Sequence, residues 1–276
     1  MARGSRTKVS RSHLSAERME RAAMEALHGA ASESLTHSLG LKQAVVDGAF
    51  VSIAAGDPSI LLNRTLGLGL ETPATPDTIA AIRRLYADAG AGRFFLHLHE
   101  AAQPPEIVDW LAQTGMKPHR RWVKFIRDTD TSWNARTDLH IAEATAETAA
   151  AFGRIAASGF DLTPTGGELL AQLVGRPGWH IFLGFAGDEP VGTGALFVDG
   201  EVGWCDWAAT RPEYRGHGSQ SALLATRIDQ ARALGCRTLY ATTGEAVPGD
   251  PQHSYHNLPR AGFRELYCRD NYIPAD

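Results

Sequence analysis

The sequence predicts an α+β protein with a mixed sheet that carries helices on both faces. Two observations support this fold class. Alternating apolar stretches, which are typical of strands, are separated by helical patterns with capping and stop signals. The second half of the chain then repeats this organisation, and 276 residues are enough for two domains of average size. We therefore expect two related domains.

The first half is predicted to contain a short extension and one domain. We expect residues 1–25 to be a flexible or helical N-terminal extension, with Ser15 as the N-cap of its helical part. Residues 26–130 show a strand, strand, helix, strand, helix, strand order. These elements are predicted, in chain order, at 49–55, 59–68, 75–90, 93–99, 104–115 and 121–127. The polar segment 128–137 then marks a domain boundary.

The second domain is predicted over residues 138–276, which contain strands and helices in a similar alternation. Its strands are predicted at 138–144, 180–186, 190–198, 201–209, 237–243 and 263–273. Its helices are predicted to follow Thr145, Pro164 and Gly218, with a short fourth helix at 254–262.

Composition disfavours several classes of protein. The net charge of -4 argues against sequence-independent nucleic-acid binding, which needs a strongly basic surface. No apolar run approaches the roughly 18 residues that span a membrane. Three widely separated cysteines suggest reduced thiols rather than a disulfide framework or a zinc site. His97 and His99 have a two-ligand spacing on one strand face, but no third ligand lies near them, so we predict no metal.

The stretch Arg215-Gly216-His217-Gly218 lies where a predicted strand turns into a helix. A helix N-terminus has unsatisfied N–H groups and a partial positive charge, so it attracts anions. Glycines let backbone N–H groups approach an anion closely, and arginine adds forked donors. The stretch is typical of a pyrophosphate-binding loop, although a glycine-rich corner with a surface arginine fits the spacing equally well. It is neither a Walker A loop nor a dinucleotide fingerprint.

The segments PEYRGHGSQSALL and SYHNLPRAGFRELY resemble two motifs of the GNAT acetyltransferase superfamily. The first is similar to the family's acyl-CoA-binding motif, Arg/Gln-x-x-Gly-x-Gly/Ala, and the second to a later segment that ends in Gly-Phe. By element order, residues 138–276 resemble the GNAT fold and residues 26–130 resemble the degenerate first domain of tandem GNAT proteins. The resemblance implies a mostly antiparallel sheet and acetyl-CoA as co-substrate.

Carried onto this sequence, the resemblance implies three groups of contacts with acetyl-CoA. One strand would pair with the pantetheine arm, the glycine-rich loop would hold the pyrophosphate, and one later residue would lie near the thioester. In that order, the residues are Ala208, Ala209 and Thr210; Arg215, Gly216, His217, Gly218, Ser219 and Gln220; and Asn257. Gln220 departs from the family's usual Gly or Ala, and its side chain needs room at this corner.

The family's chemistry is direct attack of an amine on a thioester. An alkyl amine has a pKa of about 10, so a base must remove a proton at neutral pH. Asp206, a lone acid in an otherwise apolar strand, is our candidate base, and Glu245 is the second candidate. A structural role stays open for both. Leu258 occupies the position of the tyrosine that many family members use as acid, so Tyr255 is the candidate acid, with an unassisted thiolate as the alternative.

We therefore expect an N-acetyltransferase that moves an acetyl group from acetyl-CoA to a primary amine of a small molecule or peptide. The alternative is a non-catalytic acyl-CoA-binding regulatory module, which the missing tyrosine favours. We expect a cytoplasmic monomer or homodimer with no nucleic-acid or membrane partner.

Overall fold

The computed structural model describes residues 9–249 and 253–275. Its helices are α1 (Arg11–Ala30), α2 (Glu33–Leu39), α3 (Pro76–Ala89), α4 (Ile107–Gln113), α5 (Ala149–Phe160), α6 (Pro164–Ala171), α7 (Ser219–Ala233) and α8 (His253–Arg260). Its strands are β1 (Leu41–Val46), β2 (Ala49–Ala54), β3 (Arg64–Leu66), β4 (Phe95–Leu98), β5 (Met116–Asp128), β6 (His140–Glu143), β7 (Trp179–Ala186), β8 (Glu189–Asp199), β9 (Val202–Thr210), β10 (Thr238–Gly244) and β11 (Arg264–Pro274). The α+β class predicted from the sequence is confirmed.

Three local predictions were wrong in the N-terminal half. Helix α1 begins at Arg11 rather than after Ser15, because the Ser10 hydroxyl accepts a hydrogen bond from the His13 N–H and caps the helix. Strand β1 was missed, since its alternation places only half-buried and exposed residues along the sheet edge. Of the segment 59–68, only Arg64–Leu66 is a strand.

All eleven strands belong to one mixed sheet in the order β1-β2-β3-β4-β11-β5-β10-β9-β8-β7-β6. The pairs β3–β4 and β9–β10 are parallel, and the other neighbouring strands are antiparallel. This is the mostly antiparallel arrangement that the sequence predicted.

The two halves of the chain exchange their last strands. Strand β5 ends the first half but pairs with β10 of the second, and β11 ends the second half but pairs with β4 of the first. The exchanged strands also pair with each other, with Val123 opposite Cys268. The two halves therefore share one continuous sheet. The predicted boundary at 128–137 begins at the last residue of β5 and continues into the connection between β5 and β6, and it stays a prediction.

Helix α1 lies in the main hydrophobic core rather than at the surface. Met19, Met24 and Leu27 are at most 4% exposed and belong to one cluster with Phe152 and Trp204 of the second half. Residues 1–8 of the predicted extension lie outside the described residues, and from Arg11 onward the chain forms α1, which packs into the core.

Helix α1 also places two carboxylates, Glu17 and Glu20, among three buried cations. Glu20 accepts hydrogen bonds from Arg64 at 3.0 Å, Lys124 at 2.5 Å and Arg269 at 2.6 Å. Glu17 accepts from Arg269 at 2.9 Å. These residues come from α1, β3, β5 and β11, so the cluster joins the two halves at the exchanged strands. Buried charges need such pairing, because each costs several kcal/mol to remove from water.

His97 of β4 and His99, which follows that strand, have structural partners. His97 Nδ1 lies 2.6 Å from the Asn271 side-chain oxygen, and His99 Nε2 lies 3.1 Å from His13 Nδ1. Within residues 9–249 and 253–275, no three His, Cys, Asp or Glu side chains are arranged to hold a metal ion. The same part of the chain contains no helix long and apolar enough to cross a bilayer.

Candidate active site

Strands β9 and β10 separate halfway along their length and open a groove in the sheet. They pair in parallel only between residues 202–205 and 238–241. Beyond Cys205, β9 from Asp206 to Thr210 pairs with β8 on one side, and no described strand pairs with its other side. β10 continues to pair with β5 as far as Gly244. The strand that the sequence assigned to the pantetheine arm therefore borders open space.

A β-bulge in β9 accompanies this separation. Ala195 of β8 pairs with Asp206, but Thr193 pairs with Ala209, so two residues of β9 oppose one of β8. Trp207, within the bulge, has a φ of 47°. At the bulge, the Thr193 hydroxyl forms hydrogen bonds with the backbone of β9. It donates to the Trp207 carbonyl at 2.9 Å and accepts from the Ala209 N–H at 3.1 Å. Bulges bend and twist a strand, which is consistent with the opening between β9 and β10.

The loop between β9 and α7 presents an uncapped helix N-terminus to this groove. Gly218 is the N-cap of α7, so no side chain satisfies the first helical N–H groups. Gly216 and Gly218 have φ values of 86° and 76°, which favour glycine. A Cβ atom on Gly218 would also lie 2.5 Å from the Arg136 carbonyl oxygen. The local geometry is that of an anion-binding site.

Nine of the ten residues predicted to contact acetyl-CoA line one groove of about 600 Å³. They are Ala208, Ala209, Thr210, Arg215, Gly216, Gly218, Ser219, Gln220 and Asn257. His217 is the exception, and its carbonyl oxygen accepts a hydrogen bond from the Thr137 hydroxyl at 2.8 Å. The backbone of His217 therefore joins the loop to Thr137, and its side chain does not line the groove.

Two further arginines, Arg120 and Arg260, line the same groove and were missed by the sequence reasoning. Arg260 lies one helical turn after Asn257 on α8, so the helical spacing could have indicated it. Arg120 comes from β5 of the other half, where it donates to the Glu245 carbonyl at 2.6 Å. No local pattern in the sequence connects β5 with this loop.

Gln220 does not crowd the corner of the loop, contrary to the concern that its side chain needs room there. Its side-chain amide donates to the Ala209 carbonyl at 2.7 Å and to the Thr210 hydroxyl at 2.8 Å. The side chain thus turns back onto β9 and ties the start of α7 to the strand beside the groove.

The groove adjoins a deeper cavity of about 220 Å³ between β9 and β10. Ala208, Gln220 and Asn257 line both spaces, so the two adjoin. The far wall comes partly from the N-terminal half, which contributes Arg64 and Trp122. The cavity is therefore built by both halves of the chain.

Asp206 lies on the wall of this cavity and is its one carboxylate among the described lining residues. Its Oδ2 accepts from the Trp204 indole N–H at 2.9 Å, and its Oδ1 accepts from the Trp207 backbone N–H at 2.8 Å. Burial raises the pKa of Asp206, while Arg64 and these two hydrogen bonds oppose the increase. The carboxylate is thus oriented by two donors and made more basic by its surroundings.

The other two predicted catalytic residues lie outside the cavity and the groove. The Glu245 carboxylate forms an ion pair with Arg121 at 2.7 Å, and the hydrogen bond from Arg121 lowers the pKa of Glu245. Tyr255 donates its hydroxyl hydrogen bond to Glu265 and packs edge-on against Phe125. The structure therefore does not bring Glu245 or Tyr255 to the candidate site, because each side chain points to a partner elsewhere.

Comparison with known proteins agrees with this geometry. The Acetyltransferase (GNAT) family model matches residues 147–257, which include the whole loop, the strand beside it and Asn257. Residues 147–257 form a GNAT acetyltransferase domain. The chain thus carries the domain of a family that performs acyl transfer. No curated protein matches the sequence significantly.

Solved structures similar to this chain include several GNAT proteins. A GCN5-related N-acetyltransferase from Kribbella flavida is 18% identical with a TM-score of 0.65, and the match covers 95% of this chain and 96% of that one. Another, from Sphaerobacter thermophilus, is 16% identical with a TM-score of 0.58 over 72% and 67% of the two chains. A tandem GNAT protein from the clavulanic acid biosynthesis pathway is 16% identical with a TM-score of 0.54 over 83% and 79%. These likenesses confirm the GNAT-like fold.

Leucine occupies position 258, where the resemblance to the family led us to look for a tyrosine. Leu258 lines the cavity there and is 8% exposed. Its neighbours on the cavity wall include Ser254 and Asn257, both polar but neither an effective acid at neutral pH. The site therefore offers one oriented carboxylate, and no Tyr, His or Lys that could protonate the leaving group is among the described lining residues.

Proposed function

We propose that this protein transfers an acetyl group from acetyl-CoA to a primary amine of a small molecule or peptide by direct attack. The observation that carries the proposal is a path from an uncapped helix N-terminus, along an unpaired strand edge, to a cavity with an oriented carboxylate. Along this path an anion site, a surface for an extended amide chain and a proton acceptor follow one another, in the order in which the pyrophosphate, the pantetheine arm and the attacking amine would need them.

The loop at the start of α7 fits a pyrophosphate. Helix N–H groups and the glycine nest supply donors, and Arg215, Arg260 and Arg120 bring positive charge to the same groove. The close approach at Gly218 leaves no room for a side chain on that residue. We assign the pyrophosphate to residues 215–220, the pantetheine arm to residues 208–210, and the thioester end to the neighbourhood of Asn257. Acetyl-CoA supplies an activated acetyl thioester.

Asp206 is the proposed base. Its carboxylate faces the cavity, where it attracts an alkylammonium group and accepts the proton that the amine must lose, directly or through a water molecule. The hydrogen bonds from Trp204 and Trp207 hold the carboxylate in place during this transfer. Its raised pKa makes it a better proton acceptor than an exposed aspartate.

The leaving thiolate takes its proton from water in this proposal. Tyr255 is engaged with Glu265, and Leu258 carries no proton to give. A thiol is acidic enough, with a pKa of about 8.5, to leave as an anion without an acid.

Domain roles follow from the positions of the two halves. We propose that residues 138–276 are the catalytic domain and that residues 26–130 are a degenerate GNAT-like domain without its own anion loop. The first domain closes the cavity with Arg64 and Trp122. We also propose a cytoplasmic monomer or homodimer, consistent with free thiols at Cys205, Cys236 and Cys268.

A turnover assay tests this function against a non-catalytic acyl-CoA-binding module, which the leucine at position 258 favours. Acetyl-CoA is incubated with a panel of amines, and free thiol is measured. Thiol release that depends on the amine supports the transferase. Tight acetyl-CoA binding by calorimetry without release for any amine supports the binding module, and absence of binding contradicts both.

A further inference from the structure

The cavity wall carries more positive than negative charge. Arg64 and Arg227 both line it and are each 3% exposed, whereas Asp206 is the one carboxylate among the described lining residues. Isolated buried charges are costly, so a wall of this composition favours an occupant that brings negative charge.

Arg227 is already occupied by backbone carbonyls. Its guanidinium donates to the Leu223 carbonyl at 3.1 Å and to the carbonyls of Ala195 and Asp206 at 3.4 Å each. These contacts tie α7 to the bulged part of β9. Arg227 therefore holds β9 against α7, and Arg64 is the cavity arginine that can bind a ligand.

Arg64 is incompletely satisfied by the protein. Its Nη1 donates to Glu20 at 3.0 Å, but its Nε is buried and has no partner among residues 9–249 and 253–275. Glu20 is also shared with Lys124 and Arg269. The cluster thus contains three cations, Arg64, Lys124 and Arg269, against two carboxylates, Glu17 and Glu20. Asp206 also interacts electrostatically with Arg64, and Arg227 adds a fourth buried cation. Four cations therefore face three carboxylates, which leaves one positive charge beside the cavity.

The same end of the cavity is lined by apolar and aromatic groups. The Arg64 guanidinium carbon lies 5.6 Å from the centre of the Trp122 ring, and Leu61 and Phe160 complete this wall. Because Arg64 is buried beside these side chains, a charge pair with it would be less screened than at the surface. Arg64 and Asp206 then present opposite charges to a single occupant.

We propose that the acceptor is an amino acid or related zwitterion, with its carboxylate bound by Arg64 and its amine directed to Asp206. This inference rests on the proposed acetyl transfer and adds the class of acceptor. The degenerate half thereby selects the substrate, since Arg64 belongs to β3. In the transfer itself, Asp206 takes one proton from the ammonium group, and the neutral nitrogen forms the bond to the acetyl carbon. The thioester C–S bond breaks and releases the thiolate, and the second nitrogen proton passes to water.

The test compares acids with their primary amides. Glycine, β-alanine, 4-aminobutyrate, leucine and phenylalanine are each assayed beside the matching amide, and kcat/KM is measured for both. Amino amides have the less basic amines, so a larger fraction of each amide is neutral at pH 7, and the need to deprotonate the amine does not favour the acid. A charged hydrogen-bonded pair predicts about a 10- to 100-fold preference for at least one acid.

Variants of Arg64 locate the origin of the preference. Arg64→Gln should reduce the acid-to-amide ratio to about 1, Arg64→Lys should retain part of it, and the surface change Arg121→Gln should leave it unchanged. The ratio is taken on one enzyme sample, so partial unfolding caused by loss of the Glu20 contact cancels. An unchanged ratio in Arg64→Gln, or equal use of acids and amides by the unmodified enzyme, overturns the inference while acetyl transfer stands.

A binding measurement separates this inference from the proposed function. Calorimetry with coenzyme A-loaded protein compares the affinities of the same acids and amides. If no amine is acetylated but an acid binds more tightly than its amide, and Arg64→Gln removes the difference, the carboxylate site stands and the transferase fails. Equal affinities overturn the carboxylate site whether or not transfer occurs.

Discussion

Replacing Glu20 by glutamine should strongly destabilise the protein. Glu20 is fully buried and accepts hydrogen bonds from Arg64, Lys124 and Arg269. Burial alone would raise the pKa of Glu20, but the three cations outweigh this effect and hold the pKa well below its usual range. Removing the charge leaves Glu17 as the remaining carboxylate in the cluster for three cations.

The expected loss is about 3 kcal/mol in the free energy of unfolding, at the lower end of the ~3–5 kcal/mol range for breaking a buried ion pair. The lower end applies because Lys124 can release its proton. Burial lowers the pKa of Lys124 to about 8 although Glu20 raises it, so removal of Glu20 lowers this pKa further. A neutral lysine relieves part of the uncompensated charge.

Urea unfolding followed by fluorescence measures this loss, with Glu71→Gln as the control. Glu71 pairs with Arg18 at 3.2 Å on the surface, with side chains 50% and 68% exposed, and its loss should change stability by less than about 0.5 kcal/mol. A Glu20→Gln variant as stable as the control would refute the view that this cluster joins the two halves.

The pH dependence provides a second check. Because the folded pKa of Glu20 is depressed, its contribution is present above the usual pKa of 4.5 and disappears as pH falls through the folded value. The difference between Glu20→Gln and the unmodified protein should therefore shrink in acid. Lys124 affects stability at alkaline pH. Because its pKa is lower in the folded state, the folded protein binds fewer protons than the unfolded protein between pH 8 and 10.5, so stability should rise with pH over this range. A constant difference from pH 7 down to pH 3 would contradict the assignment.

Three further predictions concern the candidate site. Asp206→Asn should keep coenzyme A affinity but reduce turnover by ~10²–10⁴-fold. The reduction should be smaller at high pH, where more of the amine is neutral. Glu245→Gln should keep nearly full activity, and the reverse outcome for the two variants would make Glu245 the base. Gly218→Val should abolish coenzyme A binding in calorimetry, because Gly218 has a φ of 76° and an added Cβ would lie 2.5 Å from the Arg136 carbonyl oxygen. Undiminished affinity would contradict the pyrophosphate assignment. Coenzyme A should bind at one molecule per chain, and a measured ratio of two would reveal a second anion site in the N-terminal half.

The sequence by itself determined many of the local elements and the backbone conformation of the glycine-rich loop before α7. Thr75 caps α3 through the Thr78 N–H, Thr163 precedes the predicted Pro164 helix start, and Gly90 ends α3 in the left-handed conformation. The glycines at 216 and 218 likewise adopt the positive φ values that the loop requires. These features were predictable because each depends on hydrogen bonds and backbone angles within a few residues.

The tertiary structure decided which side chains meet. The exchange of β5 and β11, the burial of α1 and the contact between Glu20 and Arg269 join residues far apart in the chain, and no local pattern encodes them. Glu245 and Tyr255 had suitable chemistry and suitable positions in sequence, yet each side chain faces a partner outside the cavity. Arg64 had no motif at all and nevertheless lines the cavity beside Asp206. Long-range pairing of strands determines which side chains point to each face of the sheet. Charged side chains that become buried must then be paired with groups of opposite charge, wherever those groups lie in the sequence.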